Sequence, residues 1–152
     1  MDELIQRLTQ SEHTAPLTDF KTERQMQRFF ANNLELLEPG LRLYDAERSV
    51  EFRCKIKNVG RPGSIDILAV DADGSLVVVE LKLGFGNASA LGQAMGYMAW
   101  LKKNLHRAVT VRAIIVCRQA NPFLRLAIAD PTCPNIKIIE YPSHLNPPNP
   151  LL

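Results

Sequence analysis

The chain has 152 residues, 46% of them apolar and 22% charged, with a net charge of +2. That balance fits one folded domain with a real core and argues against disorder, while the charge is too small to announce nucleic acid by itself. No run approaches the roughly 18 apolar residues of a membrane span, and Met1 to Ile5 lack the basic-then-apolar order of a secretory signal.

Residues 1–17 hold a short helical pattern (Leu4, Ile5, Leu8) and a loop ending at Pro16, a helical arm ahead of the domain. A helix is predicted from Thr22 to Leu37, with Met26, Phe30, Asn33 and Leu37 at helical spacing, Thr22 as N-cap and Pro39-Gly40 as the stop. From Ala46 to Lys57 the period becomes two. Val50, Phe52, Cys54 and Ile56 face one way and Glu51, Arg53, Lys55 and Lys57 the other, a half-buried strand. Gly60 to Gly63 breaks it, and Ser64–Val70 and Ser75–Leu83 then read as a β-hairpin.

Ala88 to Leu105 is predicted as a second helix, with Leu91, Met95, Met98 and Leu105 as its apolar face and Gly92 and Gly96 allowing close approach to a sheet. A strand over Thr110–Arg118, a helix over Pro122–Asp130 and a strand over Asn135–Tyr141 complete the chain, before a Pro-rich tail at 143–152. The order implies a single α/β domain over 1–152, with a mixed sheet flanked by helices. Cys54, Cys117 and Cys133 show no CxxC or zinc-finger spacing, so reduced, structural thiols and a cytoplasmic location are expected. His13, His106 and His144 are scattered and carry no role.

Three charged residues stand where a buried hairpin should be apolar. Leu76 to Leu83 is a core-like strand, yet it contains Glu80 and Lys82 on one face. Burying such groups is costly unless they are paired or hold a ligand. The partner strand carries Asp66. A two-residue loop at Asp73-Gly74 would send Asp66 and Glu80 to opposite faces. A three-residue loop, Ala72-Asp73-Gly74, closed by Gly74 in the left-handed conformation, pairs Asp71 with Ser75 and sets Asp66 opposite Glu80. Their Cβ atoms would lie about 4.5–5.5 Å apart. Two carboxylates that close ask for a cation, and oxygen ligands without sulfur or imidazole favour Mg²⁺ or Mn²⁺. Lys82 on the same face can orient or deprotonate a water, or stabilise a phosphoryl oxygen. Phosphodiester hydrolysis fits all three. The plain alternative is a charged but inert hairpin.

Ile65-Asp66 followed by Glu80-Leu81-Lys82 resembles the signature of the PD-(D/E)XK nuclease superfamily, with Ile65 in place of its proline. The pattern is most similar to the catalytic domains of NucS/EndoMS-type endonucleases, through Thr22-Glu23, Gly63 to Leu68 with Asp71 and Gly74, Val79 to Lys82, and Gln93 with Tyr97. The resemblance implies a restriction-endonuclease-like αβββαβ core and a metal-dependent endodeoxyribonuclease in DNA repair or restriction. It implies metal binding by Asp66, Glu80, the Leu81 carbonyl and Glu23, with Lys82 and Gln93 completing the catalytic set. Glu23 shares a helix stripe with Met26 and Phe30, which aims it at the sheet; an acid in a first turn also simply complements the helix dipole. Gln93, Tyr97 and Trp100 share one line on the second helix. The row Arg53, Lys55, Lys57 with Arg61, and Tyr97, are candidate DNA contacts. DNA is the expected partner, with no membrane association. A homodimer is in keeping with relatives that need two sites to cut two strands. A non-catalytic nucleic-acid-binding module that keeps the fold is the alternative function.

Overall fold

Thr22 opens the first helix as its position suggests, its hydroxyl accepting from the Gln25 N–H. This helix, α1, runs Glu23–Asn32, shorter than the predicted Thr22–Leu37. The Asn33 amide donates back to the Phe29 carbonyl, and a 3₁₀ turn at Leu34–Leu36 follows. The tighter turn swings Leu34 and Leu37 onto the same side, where both are buried with Met26 and Phe30. Gly40, at φ +84°, then reverses the chain.

The computed structural model describes residues 20–54, 63–105 and 109–141. The predicted arm at 1–17, the Pro-rich tail, and Lys55, Ile56, Lys57 and Arg61 lie outside them.

Two short strands, β1 (Arg42–Leu43) and β2 (Val50–Cys54), pair in succession along one edge of β3 (Gly63–Val70). The strand predicted from Ala46 thus begins only at Val50. Asp45 explains the delay, because its carboxylate accepts the Glu47 and Arg48 N–H groups and fixes a turn. Beyond β3 the order is β4 (Leu76–Leu81), β6 (Val111–Cys117) and β8 (Ile136–Glu140), with β3 antiparallel to β4 and the last three mutually parallel. Parallel neighbours need crossovers. Helices α2 (Ala88–Asn104) and α3 (Pro122–Ala129) supply them, each N-capped by an asparagine, Asn87 and Asn121. Two strands of two residues, β5 (Phe85–Gly86) and β7 (Gln119–Ala120), pair beside the main sheet.

The sheet therefore has a helix layer on each face. Met26 and Phe30 of α1 pack on Ile67, Ala69, Val77, Val79 and Ile114. Ala90, Ala94, Met98 and Leu101 of α2, with Leu124 of α3, pack on Leu68, Val78, Ala113 and Ile115. The buried side of α2 differs from the predicted one. Met95 is exposed, and the Cβ positions of Gly92 and Gly96 meet nothing, so Ala90 and Ala94 are the small residues that bring this helix close to the sheet. Cys54 and Cys117 are buried free thiols; burial pushes Cys54 up to about 11 and raises Cys117, which makes both poor nucleophiles. Among the described residues no helix is long and apolar enough to cross a membrane.

Candidate active site

The hairpin closes as the sequence arithmetic requires. Gly74 has φ +85°, the Asp71 N–H donates to the Ser75 carbonyl (3.0 Å), and the ladder pairs Val70 with Leu76 through Ile67 with Val79. One further step of that register sets Asp66 opposite Glu80. At this point the backbone ladder gives way to a side chain. The Leu81 N–H donates to Asp66 Oδ2 at 2.8 Å, and the Asp66 carbonyl accepts from Gln27 Nε2 of α1 at 3.0 Å. Asp66 is thus fixed at both its carboxylate and its backbone where β3 parts from β4.

The distortion is visible in the alternation of β3. Ile65 and Leu68 lie in the core under α2, whereas Ile67 and Ala69 lie in the core under α1, so strict alternation fails at Asp66. Across on β2, Glu51 has φ +52°, a conformation costly for a side-chain-bearing residue. The register is continuous from Val50–Ile67 to Phe52–Ile65, so the cause is a local twist and not an inserted residue. The twist also explains why Val50, predicted to share the buried face of Phe52 and Cys54, is exposed. It turns Asp66 into a cleft of about 240 Å³ at the end of the sheet, lined also by Glu23, Arg24, Gln27, Glu51 and Leu81.

Glu80 is almost wholly buried. Its Oε1 lies 3.4 Å from Lys82 Nζ, and its Oε2 is buried with no hydrogen-bond partner. Burial pushes the Glu80 carboxyl up to about 7, with the Asp66 charge adding to the rise and Lys82 opposing it. Asp66 is raised to about 6, again first by burial and with Glu23 and Glu51 adding, while the Leu81 N–H works in the other direction. Lys82 Nζ donates to Gln93 Oε1 at 2.7 Å, so the helix α2 residue fixes where the ammonium points.

The other predicted residues fall as follows. Glu23 is solvent-exposed at the rim of the Asp66 cleft; among the described residues it does not close with Asp66 and Glu80 into a three-ligand cage. Tyr97 is half-buried over Gly63, where a Cβ would stand 2.9 Å from its ring. The ring therefore holds the start of β3. Arg53 is exposed on β2, and Trp100 packs edge-on against Phe52.

Two groups escaped the sequence reading. Gln27 was legible only as a polar residue next to Met26, one turn after Glu23. Arg112, inside an apolar strand, ion-pairs with Glu38 and with Asp71 (2.9 Å), and Lys137 also reaches Glu38 (2.9 Å). Asp71 accepts the Asp73 and Ser75 N–H groups as well, so this network anchors the hairpin turn that sets the register.

The donor set suits a hard cation. A buried carboxylate with an oxygen lacking any partner, and a half-buried one whose charge acts on it, are unfavourable alone and become favourable around a divalent ion. The site also lies at the carboxyl end of β4, where open α/β sheets place ligands. An α/β sheet with two electrostatically interacting acids and a helix-braced lysine at its strand ends is the class of protein defined so far.

Residues 22–146 match the family described as the Endonuclease NucS C-terminal domain, and the chain belongs to that family. It is 32% identical over 109 residues to Endonuclease NucS 1 of Halobacterium salinarum, covering 72% of this chain and 41% of the relative. Endonuclease NucS 2 of the same organism is 26% identical over 135 residues, 86% of this chain and 47% of the relative. Among solved structures, the EndoMS–dsDNA2 complex superposes with a TM-score of 0.60 at 25% identity, covering 87% of this chain and 50% of that one. A repair endonuclease from Pyrococcus abyssi shares the fold at a TM-score of 0.60 and 22% identity, over 80% of this chain and 47% of that one. The chain thus spans half or less of the length of these relatives.

Proposed function

We propose that this domain is a divalent-metal-dependent endonuclease that hydrolyses DNA phosphodiester bonds, with Asp66, Glu80 and Lys82 as its centre. The observation that carries the reading is the buried, unpartnered Glu80 Oε2 beside Lys82, on a hairpin whose register, carried one step past Ile67–Val79, sets Asp66 opposite Glu80. DNA is the substrate class favoured by the family and by the EndoMS relative seen with double-stranded DNA. A role in repair follows the same resemblance.

Asp66, Glu80 and the Leu81 carbonyl would hold Mg²⁺ or Mn²⁺, with Glu23 at the cleft rim as the further acid that the resemblance implies. When bound, the ion supplies Lewis-acid polarisation of a phosphoryl oxygen and acidifies a water. Asp66 contributes position: its bond to the Leu81 N–H and the Gln27 bond to its carbonyl leave it little freedom. Lys82, aimed by Gln93, neutralises charge developing on the phosphoryl group or orients the attacking water. Arg53 offers a phosphate contact outside the centre.

The test is cleavage of a panel of single-stranded, duplex, mismatched and branched DNA with Mg²⁺ or Mn²⁺. Cleavage of at least one substrate is expected, lost in EDTA and reduced at least about 100-fold in Asp66→Ala and in Glu80→Ala. Activity that survives both substitutions overturns the assignment.

A further inference from the structure

A second hollow, of about 330 Å³, opens at the carboxyl ends of β4, β6 and β8. We propose that it is a nucleotide subsite, which holds a base and phosphate of the strand being cut, one or two nucleotides from the scissile bond. The proposal rests on the nuclease reading for its ligand, but on separate residues for its geometry.

Position comes first. The Lys82 N–H donates to the Val116 carbonyl and the Arg118 N–H to the Gly84 carbonyl, both at 2.8 Å, so β4 and β6 run side by side past the catalytic motif into the hollow. Gly84 stands two positions beyond Lys82, about 7 Å along an extended chain. That is about two 3.4 Å rises of a stacked strand.

The lining has the chemistry of a nucleotide. Phe85 is 72% exposed, a large apolar ring left in solvent. Its backbone is nonetheless fixed: Phe85 pairs with Gln119 across β5 and β7, and Gly86 is packed so closely that a Cβ would stand 2.9 Å from Cys117 Sγ. An exposed aromatic ring carried on a fixed backbone can serve as a stacking platform. Phe20 and Tyr141 also line the hollow, in edge contact at 5.5 Å between centroids. Arg118 brings the charge. Among the described residues it has no carboxylate partner, whereas its neighbour Arg125 is paired with Glu140. Among the described residues no acid lines this hollow, in contrast to the cleft of Glu23, Glu51 and Asp66. An exposed aromatic, an unpaired guanidinium and the amide of Gln119 match a planar base with an anionic backbone.

The test is binding of a fluorescein-labelled single-stranded DNA 12-mer to the full chain, followed by anisotropy in Ca²⁺, with cleavage in Mn²⁺ measured in parallel. Phe85→Ala should weaken binding about 5- to 100-fold, Phe85→Trp should restore it, and Arg118→Gln should lower the slope of log affinity against log salt by about 0.7. Phe85 is exposed, so an unchanged melting temperature checks that the variants fold. Wild-type affinity in Phe85→Ala, or a wild-type chain that binds no oligonucleotide, overturns the subsite. A changed sedimentation coefficient in Phe85→Ala with unaltered DNA binding also overturns it, by making the surface a protein interface. The two readings fail separately. Weakened binding in Phe85→Ala without any cleavage by the wild type sinks the nuclease and keeps the subsite. Metal-dependent cleavage with unaltered binding in both variants does the reverse.

Discussion

Glu80→Gln should stabilise the metal-free protein while it destroys the proposed activity. The Glu80 carboxyl sits at about 7 in the folded chain against an ordinary 4.5. The folded state therefore holds its proton more tightly, and between those values stability falls as pH rises. At pH 8 the full difference of about 2.5 units corresponds to about 3 kcal/mol of destabilisation. Glutamine keeps the shape without the charge, but it gives up the 3.4 Å ion pair with Lys82. The net gain should then be about 1–3 kcal/mol, and each kcal/mol moves the melting temperature of a chain this size by about 2–4 °C. The assay is thermal unfolding by circular dichroism in EDTA at pH 8 and at pH 5. The variant should melt several degrees above the wild type at pH 8, and the gap should close at pH 5, where wild-type Glu80 is protonated. Adding Mg²⁺ at pH 8 should raise the wild type more than the variant. A variant that melts below the wild type at pH 8 in EDTA would refute the claim that the buried carboxylate is uncompensated.

Three further outcomes are expected. Gln93→Leu removes the partner that aims Lys82, so the cleavage rate should drop about 10-fold or more while stability in urea stays within about 0.5 kcal/mol, Gln93 being exposed. Arg112→Met leaves Glu38 to Lys137 and Asp71 to the Asp73 and Ser75 N–H groups, and should cost about 1–3 kcal/mol in urea unfolding at pH 7. Its ion pairs hold the Glu38 and Asp71 carboxyls below their usual range against the opposing effect of burial, so this cost should shrink as pH falls through those depressed values; a pH-independent cost would contradict the pairing. Gly74→Ala should destabilise by about 1–2 kcal/mol through backbone strain alone, since a Cβ there meets nothing, and Gly74→Asn should recover part of the loss.

Most of the fold was legible because its periodicities are clean. The register of the hairpin that carries Asp66, Glu80 and Lys82 was legible for a different reason: a one-residue difference in loop length decides the facing of every side chain, and Gly74 decides the loop. Where the sequence reading slipped, a local hydrogen bond or a packing choice had overridden the pattern. Asn33 bonds its own helix and ends α1 early, Asp45 builds a turn inside the predicted strand, and the alanines of α2 outcompete the bulkier Leu91 and Met95 for the sheet. Gln27 and Arg112 were invisible because their partners lie 39 and 74 residues away, beyond any local pattern. The twist at Glu51 and Asp66 has no signature in residue types at all.

The most direct measurement is titration of the metal-free chain with Mn²⁺, followed by electron paramagnetic resonance. Mn²⁺ is predicted to bind the wild type, with binding lost in Asp66→Asn and in Glu80→Gln and kept in Asp73→Asn, which alters an exposed acid of the hairpin turn outside the centre. A wild-type chain that binds no Mn²⁺, or binding that persists unchanged in both site variants, would contradict the account.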